Sequence, residues 1–215
     1  MTDKVVIITG GSRGIGRATA IAAAARGFRV CVGYASNETA ARQVVTAIEG
    51  RNGKALAVKC DVGSESDILA LFKAADGFGT HGALVNNAGI VDISSTRHGG
   101  QGGVIVNLSS VAAKLGSPNT YVDYAASKGA IDSFTIGLGH EVAGEGIRVA
   151  AIRPGLIDTE IHASGGDADR AHRLAGNVPM KRVGTADEIA NAIVWLMSDE
   201  ASYVTSAILD VSGGR

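Results

Sequence analysis

At 215 residues and a formal net charge of −1, the chain is long enough for one well-buried domain and offers no electrostatic reason to expect nucleic acid or an acidic membrane as a partner. Hydrophobic residues make up 46% of it, aromatic residues only 4%, and glycines number 30, a composition typical of an α/β protein and not of a disordered one. Apolar runs stay below the roughly 18 residues of a membrane span and a strand begins close to residue 1, so we expect a soluble cytoplasmic protein without a signal peptide.

Predicted strands and helices alternate along the chain, which indicates one doubly wound α/β domain over residues 1–215 with a parallel sheet. Apolar runs predict strands at Val5–Ile8, Arg29–Tyr34, Ala55–Cys60, Ala83–Asn86, Val104–Leu108, Arg148–Ile152 and Ala207–Val211. Helices are predicted at Ile15–Arg26, Thr39–Glu49, Ser66–Ala75, from Tyr124 towards Ala143, and at Ala186–Met197. Residues 156–183 lack clear periodicity, and we expect them to form a loop with short helical pieces that shapes the substrate pocket.

The crossover between strands four and five is abnormally short. Ala83 to Leu108 spans 26 residues, whereas a βαβ unit usually takes about 30 or more. Its middle, "AGIVDISSTRHGGQGG", has no helical period and little apolar content. A connection without a helix is possible in about a dozen residues, but we expect it to leave an apolar sheet face in water. We therefore predict that a segment bearing a helix is missing from the sequence between about Val91 and Gly99.

A glycine-rich turn follows the first strand and opens the first helix. Gly10, Gly14 and Gly16 give the spacing T-G-x-x-x-G-x-G, wider than the common dinucleotide fingerprint. Glycines there permit positive φ and a close approach of the backbone to a pyrophosphate, with the amino terminus of the helix facing the negative charge. A ligand-free turn is the alternative, and the position of the turn argues against it. The other predicted cofactor contacts in this turn are Ser12, Arg13 and Ile15.

Tyr124 and Lys128 form the most informative pair. Residues four apart share one face of a helix, and a neighbouring cation favours the phenolate form of a tyrosine, which suits general acid/base chemistry. Ser110 ends strand five, at the edge where an open parallel sheet places its ligand crevice, and can hold a substrate oxygen. Ser109 is the alternative for that role or for turn formation. Tyr121 has no lysine four residues on, so we expect it to pack or to form the pocket wall.

Further candidate contacts with a dinucleotide follow strands three and four. Asp61 can accept a hydrogen bond from an adenine amino group, or it can simply cap a helix. Asn87, Ala88 and Gly89 can line the cofactor with backbone, or they can be no more than a tight strand exit. The five histidines show no spacing of metal ligands, so we predict no metal site.

The end of strand two bears on the choice of cofactor. Enzymes of this fold that use NAD commonly place an acid about 20 residues beyond the glycines. Here the sequence reads "GYASN", with no acid before Glu38. Tyr34 and Ser36 would not repel a 2′-phosphate, and Arg13 supplies a cation suited to contact it. We therefore expect NADP(H) as the preferred cofactor, with NAD(H) possible.

The motifs "TGGSRGIG", "DV" at Asp61–Val62, "NNAG", "YAASK", "RPG" and "SGG", in this order over nearly the whole chain, resemble the short-chain dehydrogenase/reductase family. The resemblance implies a Rossmann-type sheet of seven parallel strands, a nicotinamide cofactor and usually a homotetramer. It implies that Ser110 binds the substrate, that Tyr124 is the acid/base, and that Lys128 favours its phenolate and binds the nicotinamide ribose.

Other implications of the resemblance concern the rest of the cofactor site. Val62 would contact the cofactor, while Pro154, Gly155 and Thr159 match the stretch that holds its carboxamide side. The family usually has a catalytic Asn on a helix in the fourth crossover, and no residue here can be assigned that role. In the family this helix normally helps to form the tetramer interface, so its absence from the sequence bears on assembly. From the resemblance as a whole we expect a homo-oligomer, either a tetramer or a dimer.

Together these features favour an NADP(H)-dependent oxidoreductase that interconverts a carbonyl and an alcohol by hydride transfer. A sugar, a small ketone and a 3-oxoacyl compound all fit as substrate. The alternative is a dinucleotide-binding sensor or scaffold without turnover. The short crossover motivates the alternative, and the intact set of Ser110, Tyr124 and Lys128 argues against it.

Overall fold

The computed structural model describes residues 3–88, 102–159 and 169–215. Its strands are β1 (Lys4–Ile8), β2 (Arg29–Tyr34), β3 (Lys54–Lys59), β4 (Thr80–Asn86), β5 (Gly103–Leu108), β6 (Ile147–Pro154), β7 (Ile157–Asp158), β8 (Gly184–Thr185) and β9 (Ala207–Val211). Its α-helices are α1 (Gly14–Ala25), α2 (Glu38–Glu49), α3 (Glu65–Asp76), α4 (Ala112–Leu115), α5 (Val122–Val142), α6 (Arg170–Leu174) and α7 (Ala186–Met197). Within these ranges, every helix falls short of the length or the apolar character that a membrane span requires.

The main sheet has seven strands in the order β3-β2-β1-β4-β5-β6-β9, and all neighbouring pairs are parallel. The predicted fold class, a doubly wound sheet of seven parallel strands, is therefore confirmed. All carboxyl ends of the strands meet at one edge, and the chain order reverses direction between β1 and β4. Such a reversal opens a crevice at that edge, and it is there that open α/β sheets bind their ligands.

Alternate strand residues enter two separate hydrophobic clusters. On β1, Val6 and Ile8 belong to one cluster, while Val5 and Ile7 belong to the other. This is the two-residue period of a strand that is buried on both faces. The first cluster contains residues of α1, α2 and α7, and the second contains residues of α3 and α5. The helices thus cover both faces of the sheet.

Side-chain caps explain why several helix boundaries could be read from the sequence. Asn37 accepts a hydrogen bond from the backbone at the start of α2, and Ser64 does the same for α3. At the start of α7, Thr185 and Glu188 form a complete capping box. Such caps satisfy backbone N–H groups that the helix itself leaves unpaired.

The structure corrects one expectation about the short crossover. Leu84 of β4 is 8% exposed and Ile105 of β5 is 3% exposed, so the apolar face of these strands is not left in water. Both side chains share a cluster with Phe72 of α3 and Leu138 of α5, so these flanking helices contribute to the burial. The predicted join between Val91 and Gly99 lies outside the described residues.

The predicted loop over residues 156–183 contains more order than expected at its two ends. β7 begins it, and β8 directly follows it, with Ile157 opposite Gly184 and Asp158 opposite Thr185. This pairing gives a second sheet of two strands. The loop therefore leaves and returns to the domain at one place, beside the end of β6.

Candidate active site

A cavity of about 400 Å³ lies at the carboxyl edge of the sheet. Its walls come from the segments that follow β4, β5 and β6 and from the first turn of α5 and the residues around it. It brings together residues that are far apart in sequence. The predicted site residues that line it are Ile15, Asn87, Ser110, Tyr124, Lys128, Pro154, Gly155 and Thr159.

The turn between β1 and α1 requires its glycines. Gly10 and Gly14 have φ of 63° and 52°, the left-handed region that favours glycine. A Cβ at Gly16 would lie 2.3 Å from the carbonyl oxygen of Gly10, closer than any side chain can approach. The backbone therefore folds back on itself so tightly that the start of α1 faces the crevice.

The start of α1 fits a phosphate group. Its N-cap residue, Arg13, makes no side-chain cap, and the first turn holds no acidic residue. No side chain therefore caps the N–H groups of that turn, in contrast to the capped starts of α2, α3 and α7. Unpaired N–H groups and the helix dipole together attract an anion. The exposed side chain of Arg13 adds a positive charge beside them.

Asn87 braces the glycine turn from β4. Its side-chain nitrogen donates to the carbonyl oxygens of Thr9 at 3.1 Å and of Gly10 at 2.9 Å. The backbone N–H groups of Asn87 and Ala88 both donate to the hydroxyl of Thr9, each at 3.1 Å. The predicted tight strand exit is thus present, and it also fixes the turn. Gly89, the third residue predicted there, lies outside the described residues.

Tyr124 and Lys128 lie one helical turn apart near the start of α5, and both face the cavity. The Lys128 ammonium is 5.6 Å from the centre of the Tyr124 ring and donates to the carbonyl oxygen of Leu108 at 2.8 Å. Burial lowers the pKa of Lys128, and the charge of Asp132 partly opposes this. Tyr124 is 40% exposed, so its phenol is accessible from the cavity.

The two serines at the end of β5 differ in their hydrogen bonds. Ser109 is buried, and its hydroxyl donates to the carbonyl oxygen of Lys128 at 3.2 Å. Ser110 lines the cavity, and its oxygen accepts from the N–H of Ala112 at 3.1 Å. Because this bond uses the oxygen only as an acceptor, the hydroxyl hydrogen of Ser110 can be donated to a substrate. Ser109 instead anchors α5.

The remaining predicted cofactor residues lie along the same edge but outside the cavity. Tyr34 packs into the hydrophobic core, while Ser36 is exposed directly after β2. The Asp61 carboxylate accepts from the N–H of Gly63 at 3.0 Å, which closes a local turn. It is not the helix cap that was the alternative, because Ser64 caps α3. The second oxygen of Asp61 can still accept. Contacts of these residues and of Val62 with a cofactor stay predictions.

Sequence reasoning missed part of the cavity wall. Tyr121 was expected to pack or to form this wall, and it does line the cavity. Arg215 also lines it, and it belongs to no motif that could have revealed it. The other lining residues are Leu108, Ser109, Val111, Ala112, Leu115, Ser117, Leu156 and Ile157. Except for Ser109 and Ser117, these residues are apolar and resemble those of any core segment, so only the fold distinguishes them.

Two family models match the chain. The one described as short chain dehydrogenase matches residues 4–99, and the one described as enoyl-(acyl carrier protein) reductase matches residues 94–215. The chain is 46% identical to the uncharacterized oxidoreductase YgfF of Escherichia coli, covering 98% of this chain and 99% of that protein. The chain belongs to the short-chain dehydrogenase/reductase family. It is also 39% identical to 3beta-hydroxysteroid dehydrogenase 1 of Eggerthella lenta, covering 100% of this chain and 94% of that one.

Solved structures of this family share the fold. A short-chain dehydrogenase/reductase of Serratia marcescens superimposes with a TM-score of 0.89 at 29% identity, covering 98% of this chain and 97% of that one. A 7 alpha-hydroxysteroid dehydrogenase in complex with NADH and 7-oxo glycochenodeoxycholic acid gives a TM-score of 0.86 at 32% identity, covering 98% and 93%. The chain is therefore a Rossmann-fold oxidoreductase that acts on CH–OH or carbonyl groups with a nicotinamide dinucleotide. The alternative of a sensor or scaffold is not favoured.

The relatives of this chain are longer than the chain itself. The alignment with YgfF spans 245 residues and the whole chain has 215, so at least 30 aligned positions have no residue of this chain opposite them. The two family models meet at residues 94–99. This is the part of the sequence in which the crossover between β4 and β5 is abnormally short.

The geometry of the glycine turn gives a first prediction. Gly16→Ala places a methyl group against the Gly10 carbonyl, and such overpacking typically costs about 1–3 kcal/mol. We expect the free energy of unfolding to fall by this amount and the Kd for the nicotinamide cofactor to rise about tenfold or more, because the turn opens. Urea unfolding and fluorescence titration with reduced cofactor measure the two effects.

Gly137→Ala is the matched control, since the same methyl group on α5 meets no atom within 4 Å. It should keep cofactor affinity and, by its better helix propensity, gain up to about 1 kcal/mol. Equal affinity of the two variants for the cofactor would contradict the proposed place of the turn in binding.

Proposed function

We propose that the protein is an NADP(H)-dependent oxidoreductase that interconverts a ketone or aldehyde and the corresponding alcohol, with Tyr124 as the acid/base. The observation that carries the proposal is the meeting of Ser110, Tyr124 and Lys128 in one cavity, beside Pro154 and the braced glycine turn. These groups come from four different elements of the fold. Packing alone gives no reason for a hydroxyl, a phenol and an ammonium to converge there.

Each residue has a role that its contacts support. When bound, the nicotinamide supplies or accepts the hydride. Ser110 donates its hydroxyl hydrogen to the carbonyl oxygen of the substrate and fixes its direction. Tyr124 gives that oxygen its proton during reduction and removes it during oxidation. Lys128 has donors beyond the one used on Leu108 and directs them at the ribose and at the phenol, where its charge favours the phenolate.

The lining of the cavity favours a substrate with an apolar body. Val111, Leu115 and Leu156 line the same cavity as the reacting groups, together with Tyr121. The named relatives include a hydroxysteroid dehydrogenase, 3-oxoacyl-[acyl-carrier-protein] reductases and a glucose 1-dehydrogenase. Apolar walls suit the first two kinds of substrate better than a sugar, whose hydroxyls would lose their bonds to water.

The role of the phenol is tested by Tyr124→Phe. The ring still packs, but the transferable proton is gone, so we expect cofactor affinity to be kept and kcat to fall by about 10²–10⁴-fold. NADPH oxidation is followed on the best substrate of a panel of steroid ketones, 3-oxoacyl thioesters and sugars. Lys128→Ala should reduce both kcat and cofactor affinity.

Tyr121→Phe is the matched control for this substitution. Tyr121 lines the same cavity but has Ala125, not a lysine, four residues on. It should retain kcat to within about tenfold, well above the Tyr124 variant. A Tyr124→Phe protein with the wild-type rate would show that another group transfers the proton.

The region after β2 supports NADP(H) over NAD(H). Glu38, the first acid there, is held by Arg42 one turn along α2, with Nε donating at 2.8 Å. The side chain of Asn37 caps that helix by accepting from the N–H of Ala40. Ser36 and Arg13 are exposed near the same edge. A 2′-phosphate would thus meet a hydroxyl and a guanidinium, not a free carboxylate.

We expect a lower Kd for NADPH than for NADH, measured by fluorescence titration of each. Arg13→Ala should reduce this preference by about tenfold, because one charge-assisted contact is lost. Arg17→Ala removes another exposed arginine of α1 and serves as the control that keeps the preference. Tighter binding of NADH by the unaltered protein would overturn the assignment. NADH is the cofactor in the solved complex of the 7 alpha-hydroxysteroid dehydrogenase.

We also propose that the natural protein carries a longer crossover between β4 and β5, that it forms a homo-oligomer, and that it works in the cytoplasm. The lengths of the aligned relatives support the first point. The longer crossover would hold the helix that the family usually has there.

The mass of the intact protein from its native source tests the longer crossover. Because at least 30 positions are unmatched, we expect electrospray mass spectrometry to give a value clearly above the 21.7 kDa of this sequence. Peptide mapping should place the additional residues between β4 and β5. A native mass of 21.7 kDa would show that the short crossover is genuine.

A further inference from the structure

Helix α5 carries a third ionisable side chain in the row that begins with Tyr124 and Lys128. Asp132 lies four residues beyond Lys128, just as Lys128 lies four residues beyond Tyr124. Residues at this spacing are neighbours on one helix face. Asp132 is only 6% exposed, and a carboxylate so buried is costly unless it is paired. Its surroundings must therefore compensate for its burial.

Arg153 pairs with this carboxylate from β6. Its Nε and Nη2 both donate to Oδ2 of Asp132, at 3.0 Å and 2.8 Å. The other oxygen, Oδ1, is buried and accepts no hydrogen bond from the residues that the structure describes. Arg153 directly precedes Pro154 and Gly155 in the cavity wall. The ion pair consequently joins the catalytic helix to the strand end that forms part of the site.

Asp132 also acts on Lys128. Burial lowers the pKa of the Lys128 ammonium, and the Coulomb interaction with Asp132 raises it. A negative charge one turn away thus opposes the tendency of the buried amine to lose its proton. Without this charge, less of Lys128 would be protonated at a given pH.

We infer that Asp132 is a positioning residue for the reaction, which keeps Lys128 charged beside Tyr124 and, through Arg153, fixes α5 against the end of β6. This inference rests on the roles proposed above for Tyr124 and Lys128. Asp132 itself does not line the cavity, so it acts on the substrate only through its neighbours.

The other charges nearby belong to one chain of ion pairs. Arg153 Nη1 donates to Asp210 of β9 at 3.4 Å, and Lys114 of α4 donates to the second oxygen of Asp210 at 2.9 Å. β5, which packs against α5, contains no ionisable side chain. The ionisable groups linked to Asp132 through this chain are Arg153, Asp210 and Lys114. Those that line the cavity together with Lys128 are Tyr121, Tyr124 and Arg215.

Direct titration of Lys128 tests the inference. The protein is labelled with ¹³Cε-lysine, the Lys128 resonance is assigned by its absence in Lys128→Arg, and its shift is followed with pH. In Asp132→Asn, which keeps the shape and removes the charge, we expect the midpoint of Lys128 to move to lower pH. We also expect kcat to fall about tenfold with little change in KM, since only part of the acid/base contribution is lost.

Asp210→Asn is the matched control. It removes a carboxylate that also binds Arg153 but is not among the charges that shift Lys128, so it should lower stability and leave the Lys128 midpoint in place. An unchanged midpoint in Asp132→Asn would overturn the inference and reduce Asp132 to a structural role. The titration needs no turnover, so it stands even if the substrate panel shows no activity.

A second variant covers the case in which Asp132→Asn does not fold. Arg153→Gln removes the cation that neutralises Asp132, so the carboxylate acts more strongly on Lys128. The midpoint of Lys128 should then move to higher pH, opposite to the Asp132 variant. A midpoint that stays in place, or that moves to lower pH, would contradict the proposed coupling.

Discussion

The burial of one ammonium group, that of Lys128, is the constraint on which the rest of the site depends. Burial lowers its pKa, so the protein must supply partners that favour the charged form. The carbonyl oxygen of Leu108 accepts from it at 2.8 Å, and Asp132 adds a negative charge one turn along the helix. In the opposite direction, the hydroxyl of Ser109 at the end of β5 donates to the carbonyl oxygen of Lys128 on α5. Helix α5 is thus tied to the end of β5 by bonds in both directions, and these bonds set the position of Tyr124.

A buried polar chain fixes that helix farther along its length. The side chain of Asn86 on β4 donates to Asn107 on β5 at 2.9 Å, and Asn107 donates to the hydroxyl of Thr135 on α5 at 3.0 Å. Asn107 is fully buried, so an unpaired amide there would be expensive. The three side chains satisfy one another only in one register of β4, β5 and α5. Sequence reasoning left Asn107 without a role, and the structure shows that it aligns the elements on which the site is built.

Most of the fold could be predicted from the sequence, because the signals for strands and helices lie within a few residues of each element. The strands β2 and β9 and the helix α7 have the predicted boundaries, since turns and caps mark their ends within a few residues. The strands β7 and β8 were missed, because two residues each are too short to show a period. The pair of Asp132 and Arg153 was also missed, although the four-residue step from Lys128 was visible. Both serines at the end of β5 line the cavity, and which of them can still donate its hydroxyl hydrogen to a substrate depends on hydrogen bonds that no motif encodes.

The apolar wall of the cavity strengthens the electrostatic interactions among Tyr124, Lys128 and Asp132, which follow one another on one face of α5. Lys128 and Asp132 interact more strongly where water is scarce, because the local dielectric constant is lower. Tyr124 is 40% exposed, so in the unliganded protein water still screens the phenol. A substrate with an apolar body would fill the space along Val111 and Leu156 and displace that water. The same event that positions the carbonyl oxygen would then strengthen the influence of Lys128 on the proton of Tyr124. Under the roles proposed for Tyr124 and Lys128, the exclusion of solvent would couple substrate binding to acid/base chemistry.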